Sequence, residues 1–310
     1  MTANRNERGQ AMVLTVLFIT ALLGISALVL DVGSWYRQHR ALQATADAAA
    51  LAGAQKLPYN AGDARGTAAE YANKNLSGLT DNSSQVSSTI TQDDVIKVHV
   101  AKPAPGFFAK IFGIDSVNEG ATATARTEGM AQAKYVAPVV VKSTHEMLNG
   151  CGGPCFGPGY ETQIPVDQTG APGAFALVNL NQGQTSGTQG ASVLANWIEN
   201  GYQDYLPLGA YFSDPGVKFN SNGIQDAFRA RMAINPVLLF PVYDNLTGQG
   251  SNAQYHIIGW AAFHVDAVDK NGNNGHITGY FTQVIWTGLQ ATSPGGGGPA
   301  YGARAVQLID

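Results

Sequence analysis

The residues with the chemistry to act are few and scattered. Cys151 and Cys155 stand with three residues between them. Outside a reducing cytoplasm they could form a small-loop disulfide. Free thiols are the second reading. A metal site is the third, and it would need about two more ligands where His145 is the only Cys or His nearby. Closing so short a loop removes little entropy from the unfolded chain, so such a disulfide is a local clip. His145-Glu146-Met147-Leu148-Asn149 begins like H-E-x-x-H but carries Asn where the second ligand belongs, which argues against a zinc hydrolase. Asp269, Asn271 and Asn273 have the spacing of a calcium loop, yet its glycine position is Asn274 and its glutamate position is Tyr280. A hairpin turn explains the same residues and is the preferred reading.

His256 and His264 share a strand face, but eight residues at ~3.3 Å each hold them ~26 Å apart, so they do not bind one ion together. His99 falls on the polar face of another strand. Trp197, Trp260, Trp286, Tyr280 and Phe281 could line an aromatic surface for glycan or peptide, or pack across strands as core. The sequence has no G-x-S-x-G, P-loop or dinucleotide fingerprint. No catalytic residue emerges, and no cofactor or metal is expected.

Composition narrows the class further. Charged residues are 13% of the chain, against about 25% in soluble globular domains. The formal net charge is -4, which offers nucleic acid no basic surface. Asn, Gln, Ser and Thr supply much of the polarity, as suits an extracytoplasmic surface. At 310 residues the chain can fill two cores behind an anchor.

That anchor is Ala11–Leu30. Its twenty residues, including Leu17 and Gly24, contain no charge, Pro, Asn or Gln. About 20 such residues are what a helix needs to cross ~30 Å of hydrocarbon, and the run exceeds the apolar core of a cleaved signal. Trp35 and Tyr36 follow where an aromatic belt would lie. Arg5 and Arg8 before the span balance Arg37 and Arg40 after it, so charge does not set orientation. The short head, the cysteine pair and the uncharged polar surface favour N-in, C-out. No breaker occurs before Pro58, so the helix is expected to continue to about Lys56. Leu42, Ala46, Ala49, Gly53 and Leu57 then form one narrow stripe of mostly small residues. It could receive another helix side by side, or pack on the chain's own globular domain; both readings are open at this point.

Arg8-Gly9 before the apolar run, Asp31-Val32-Gly33 at its end, and Leu42-Gln43 followed by Ala46-Asp47-Ala48-Ala49-Ala50-Leu51-Ala52 closely resemble the N-terminal segment of TadE/TadG-like proteins of tight-adherence (Flp) pilus assembly. The resemblance covers roughly the first 55 residues. It implies a bacterial inner-membrane protein, single-pass, with its C-terminal region extracytoplasmic. It further implies a non-enzymatic role as minor pilin-like or anchoring subunit, with membrane lipid and other pilus-assembly subunits as partners. Peptidase-processed prepilins carry Glu five residues into the mature helix; after Gly9 that position is Leu14, which favours a retained anchor. No D-x-S-x-S run occurs, so the metal-dependent adhesion of some TadG-like proteins is not carried over. The alternative function is a membrane-tethered adhesin-like module whose 135–310 region binds a surface ligand.

The expected organisation is 1–57 head, span and helical extension; 58–130 a small α+β module; and 135–310 a mainly antiparallel α+β domain. In the module, 66–75 reads as a helix, 85–91 and 95–102 as strands about the turn Gln92-Asp93-Asp94, and 117–127 as a third strand. Phe107, Phe108, Ile111 and Phe112 are expected to cap that small sheet as a helix. In the second region, 136–141, 174–180 and 237–243 read as strands, and 191–200 and 224–234 as helices. A long hairpin pairs 253–268 with 276–286 about Asn271-Gly272, and 301–309 closes the chain. The class is α+β.

Overall fold

A computed structural model describes residues 7–166, 176–181, 188–214, 218–270, 275–286, 289–290 and 301–309. The fold is α+β, with one long apolar helix followed by mixed helices and largely antiparallel strands. The chain forms two compact units, Met1–Arg126 with Gln307–Asp310, and Thr127–Val306. The unit that holds 58–126 therefore also takes in the N-terminal helix and the chain's last residues.

Unit 1 is organised by α1, Glu7–Ala54, 48 residues without interruption. An apolar run passes into an Ala-rich run of strong helix formers, and the helix stops just ahead of Pro58, which disfavours helical backbone in the residue before it. Helix α2, Ala61–Asn75, starts where the side chain of Asn60 accepts the N–H of Asp63. That cap lengthens α2 by five residues beyond the 66–75 that periodicity suggested. Its Ala64, Ala68 and Ala72 are buried at intervals of four, a stripe as narrow as that of α1.

Strand β1, Ser84–Ser87, pairs antiparallel with β2, Val95–Pro105, and β2 with β3, Ser116–Glu128. Ile96, Val98 and Val100 bury the apolar face of β2, while Lys97 on the opposite face stays outside. The chain end returns to this sheet, where the N–H of Ile309 donates to the carbonyl of Thr124.

Unit 2 is built on a sheet ordered β5-β9-β10-β11-β6, these being Val141–Lys142, Val237–Thr247, Gln254–Asp269, His276–Phe281 and Thr162–Pro165. Gln132–Ala133 (β4) and Leu206–Pro207 (β7) pair outside it, and Gly209–Phe212 (β8) pairs with the start of β10. The four-residue helix α3 is Glu146–Asn149. The expected hairpin is β10 with β11, setting Phe263 opposite Phe281 and His264 opposite Tyr280; its tip, 271–274, lies outside the described residues. Helices α4, Ala191–Asn200, and α5, Asn222–Ile234, bury Leu194, Trp197 and Ile198, and Ile224, Ala227 and Phe228. The core is ring-rich: Phe240 stacks on Phe263 at 5.7 Å, and Phe263 meets Phe281 edge-on at 5.0 Å.

Several expectations differ in detail. The strand expected over 85–91 ends at Ser87, where the chain turns towards Asp94. The hairpin arm expected over 276–286 ends at Phe281, with only Val284–Ile285 as a separate short strand beyond it. Residues 136–141 make single bridges and not a full strand, apart from Val141 in β5. Within 176–180, Leu177 and Val178 likewise make only bridges, while 174 and 175 lie outside the described residues. The segment with Phe107, Phe108, Ile111 and Phe112 holds a short 3-10 turn, Ala109–Phe112, with no buried residue, so it does not cap the sheet. Apolar composition had suggested a core role, but composition does not say which medium covers a side chain.

Candidate functional site

Functional weight falls on α1, whose two halves meet different surroundings. From residue 11 to 30, including Ala11, Leu17, Gly24 and Leu30, the helix is exposed on all sides, with only Ala27 half-covered. The hydroxyls of Thr15 and Thr20 donate to the carbonyls of Ala11 and Val16, both at 2.8 Å, so these polar groups find partners within the helix. A bare apolar helix of this length has its natural solvent in hydrocarbon, which suggests single-pass membrane anchoring.

Beyond the span, Leu42, Ala46 and Ala49 are fully buried and Gly53 is buried with them. Their cover comes from unit 1 itself. A methyl group placed on Gly53 would stand 2.7 Å from Ile96 Cδ1, 2.8 Å from the Ala64 carbonyl oxygen and 3.1 Å from Ala68 Cβ. Glycine is what lets α1, α2 and β2 approach this closely. Of the two readings left open by the stripe, this packing is the one on the chain's own domain.

The junction between the halves carries a group that sequence reasoning used only as a motif letter. Asp31, the first residue past the span, is almost completely buried. Its carboxylate accepts the backbone N–H groups of Phe107 at 2.9 Å, Phe108 at 3.0 Å and Ala109. Such a fork of charge-assisted bonds fixes a loop strongly. One turn higher, Trp35 Nε1 donates to the Pro105 carbonyl at 3.1 Å, and Gln38 Nε2 to that of Lys102 at 3.0 Å. Trp35 is thus tied to β2, while Tyr36 is exposed. A carboxylate directly after twenty apolar residues signals that a partner is needed, but nothing local names amides 76 to 78 residues away.

A second aspartate does the same work at the other end of β2. Asp94, also buried, accepts the N–H groups of Thr89, Ile90 and Thr91 and the Thr89 hydroxyl. Burial pushes its carboxyl up, but the amides of Ile90, Thr91 and Thr89 outweigh that and hold it below the usual range. The sequence shows only a turn here.

The other candidates separate. Cys151 and Cys155 form a disulfide in unit 2, beside Gly150. His145 caps α3 by accepting the Met147 N–H. His256 pairs with Asp244, His264 with Asp266 and His276 with Asp269; His99 bonds Thr122 and lies near Asp81. Among the described residues no three His, Cys, Asp or Glu side chains gather as a metal site, and Asn271 and Asn273 lie outside them. Trp197, Trp260 and Phe281 are buried, Trp286 donates to the Lys134 carbonyl, and Tyr280 stacks flat on His264. These rings do not share an open surface. In unit 2, burial pushes the Asp214 carboxyl up despite the Lys218 ammonium and the Gln189 N–H bonded to it.

Fold and site together describe one long helix with an exposed apolar half, carrying α+β units. Residues 9–56, which cover most of α1, match the family model described as putative Flp pilus-assembly TadE/G-like, which supports involvement in pilus assembly. The matched family is a structural, non-enzymatic one. No curated protein and no solved structure matches the chain.

Proposed function

We propose that the chain is a non-enzymatic component of an Flp-type pilus assembly machine, retained in the bacterial inner membrane by α1 with both folded units on the extracytoplasmic side. It acts there as an anchoring or minor pilin-like subunit, meeting other pilus subunits through its folded units. The observation that carries this reading is the coincidence of two boundaries. The family match covers 9–56, and the same stretch runs from the exposed span through Asp31 to the buried stripe. What resembles pilus assembly proteins is therefore the anchor together with its seat on unit 1. The disulfide in unit 2 fits an oxidising compartment.

The test is complementation in a Flp-piliated bacterium lacking this chain. The full chain restores surface pili counted by electron microscopy, and a variant without residues 11–30 does not. A phosphatase active only outside the cytoplasm, fused at the C-terminus, is active in the same cells. Normal piliation in the absence of the chain overturns the assembly role, and an inactive phosphatase fusion overturns the orientation.

A further inference from the structure

We propose that the tip of the β2–β3 hairpin, residues 106–114, is a second membrane contact, lying among the headgroups and upper acyl chains where α1 leaves the bilayer. This inference rests on the reading of α1 as a membrane anchor.

Five of the nine residues from Gly106 to Ile114 are large and apolar, and all five are exposed: Phe107 62%, Phe108 41%, Ile111 79%, Phe112 83% and Ile114 45%. Single exposed apolar side chains are ordinary, but a cluster confined to one loop marks a contact surface. The position of the loop names the partner. Strand β2 runs down α1 towards the span: Ile96 lies over Gly53, the Lys102 carbonyl meets Gln38, the Pro105 carbonyl meets Trp35, and the amides of 107–109 end on Asp31. Each step along the strand is a step towards the bilayer. The tip is reached at the first residue after the apolar run, so a bilayer that covers Ala11–Leu30 has its surface at the level of this loop.

The loop's polar groups suit that depth. The N–H of Gly106 donates to Asp115, those of Phe107, Phe108 and Ala109 to Asp31, that of Ile111 to Phe108, that of Gly113 to Lys110 and that of Ile114 to Ala109. Backbone donors so paired need little water, which is the condition for irregular chain near hydrocarbon. The loop carries no acidic side chain, and its one charge, Lys110, can reach up to anionic headgroups while the rings stay below. Asp31 is the positioning residue that sets the height of the tip on α1.

The test measures depth in the full chain, reconstituted in vesicles of phosphatidylcholine and phosphatidylglycerol. An environment-sensitive fluorophore is attached in turn through Phe112→Cys, Leu23→Cys in the span and Thr91→Cys at the far end of β2, with the native cysteines left disulfide-bonded. The expected result at 112 is blue-shifted emission, quenching by lipids labelled high on the acyl chain, and protection from iodide. Position 91 shows iodide quenching only, and position 23 is quenched by lipids labelled deeper. Iodide quenching at 112 equal to that at 91, with 23 still in lipid, overturns the proposal and leaves the anchor standing. Protection at 112 from both iodide and lipid quenchers also overturns it, because protein then covers the loop. Absence of lipid quenching at 23 removes the anchor and this contact together.

Discussion

Unit 1 closes its helix contact on Ala46, Ala49, Gly53, Ala64 and Ala68, while unit 2 fills its centre with Trp260, Tyr255, Phe240, Phe263 and Phe281. Both bury apolar surface, but they depend on it in opposite ways. Small side chains contribute little area each and work by letting backbones approach, so unit 1 is sensitive to added volume. Rings contribute a large area each and leave a large void when removed, so unit 2 is sensitive to lost volume. The difference also divides what can be read from residue order. Periodicity locates ring-bearing helices well, and α4 runs over Ala191–Asn200 as its spacing suggested. A stripe of alanines, by contrast, says that something comes close without saying what.

The largest effect expected is on unit 2. Phe263→Ala removes a ring packed between Phe240 and Phe281 and costs about 3–5 kcal/mol, read as lost hydrogen-exchange protection across β9, β10 and β11. Next is Ala49→Leu in α1, where overpacking costs about 1–3 kcal/mol and lowers protection in α2 and β2. If Ala49→Leu is tolerated while Ala49→Gly is not, the close-approach account of unit 1 is broken.

Acid sharpens the contrast. Asp94 is held below its usual range, so its contribution is whole above the unfolded value of about 3.9 and is lost as pH falls through the folded one. Asp214 is raised, so its contribution is whole below about 3.9 and is lost as pH rises through its folded value. At these two groups, acidification towards pH 4 relieves unit 2 through Asp214, and only acidification below about pH 4 weakens unit 1 through Asp94. Asp94→Asn, which leaves buried amides short of an acceptor, costs about 1–3 kcal/mol at neutral pH and flattens the acid sensitivity of unit 1. The smallest effect is that of Cys151→Ser with Cys155→Ser, at most about 2 kcal/mol for so short a loop and confined to unit 2 on exchange.

The span, both long helices of unit 2 and the β10–β11 hairpin were legible because each is a local pattern. Asp31 and Asp94 were not, because a carboxylate's partner amides are set by how the chain returns. The Phe107–Phe112 segment misled for a related reason. An apolar run suits core and lipid alike, and only its place beside Asp31 tells them apart.

The unbroken course of α1 has a mechanical consequence. A helix of 48 residues rising ~1.5 Å each is ~70 Å long, with nearly half its length free for lipid and the rest clamped into unit 1. One way a helix longer than the hydrocarbon is thick fits its bilayer is to tilt. Because no break in α1 separates span from seat, a tilt of the span turns unit 1 with it, and the 106–114 tip at the bilayer surface limits how far it can go. For a span seated in a bilayer, the tilt angle of α1 is then also the orientation of unit 1.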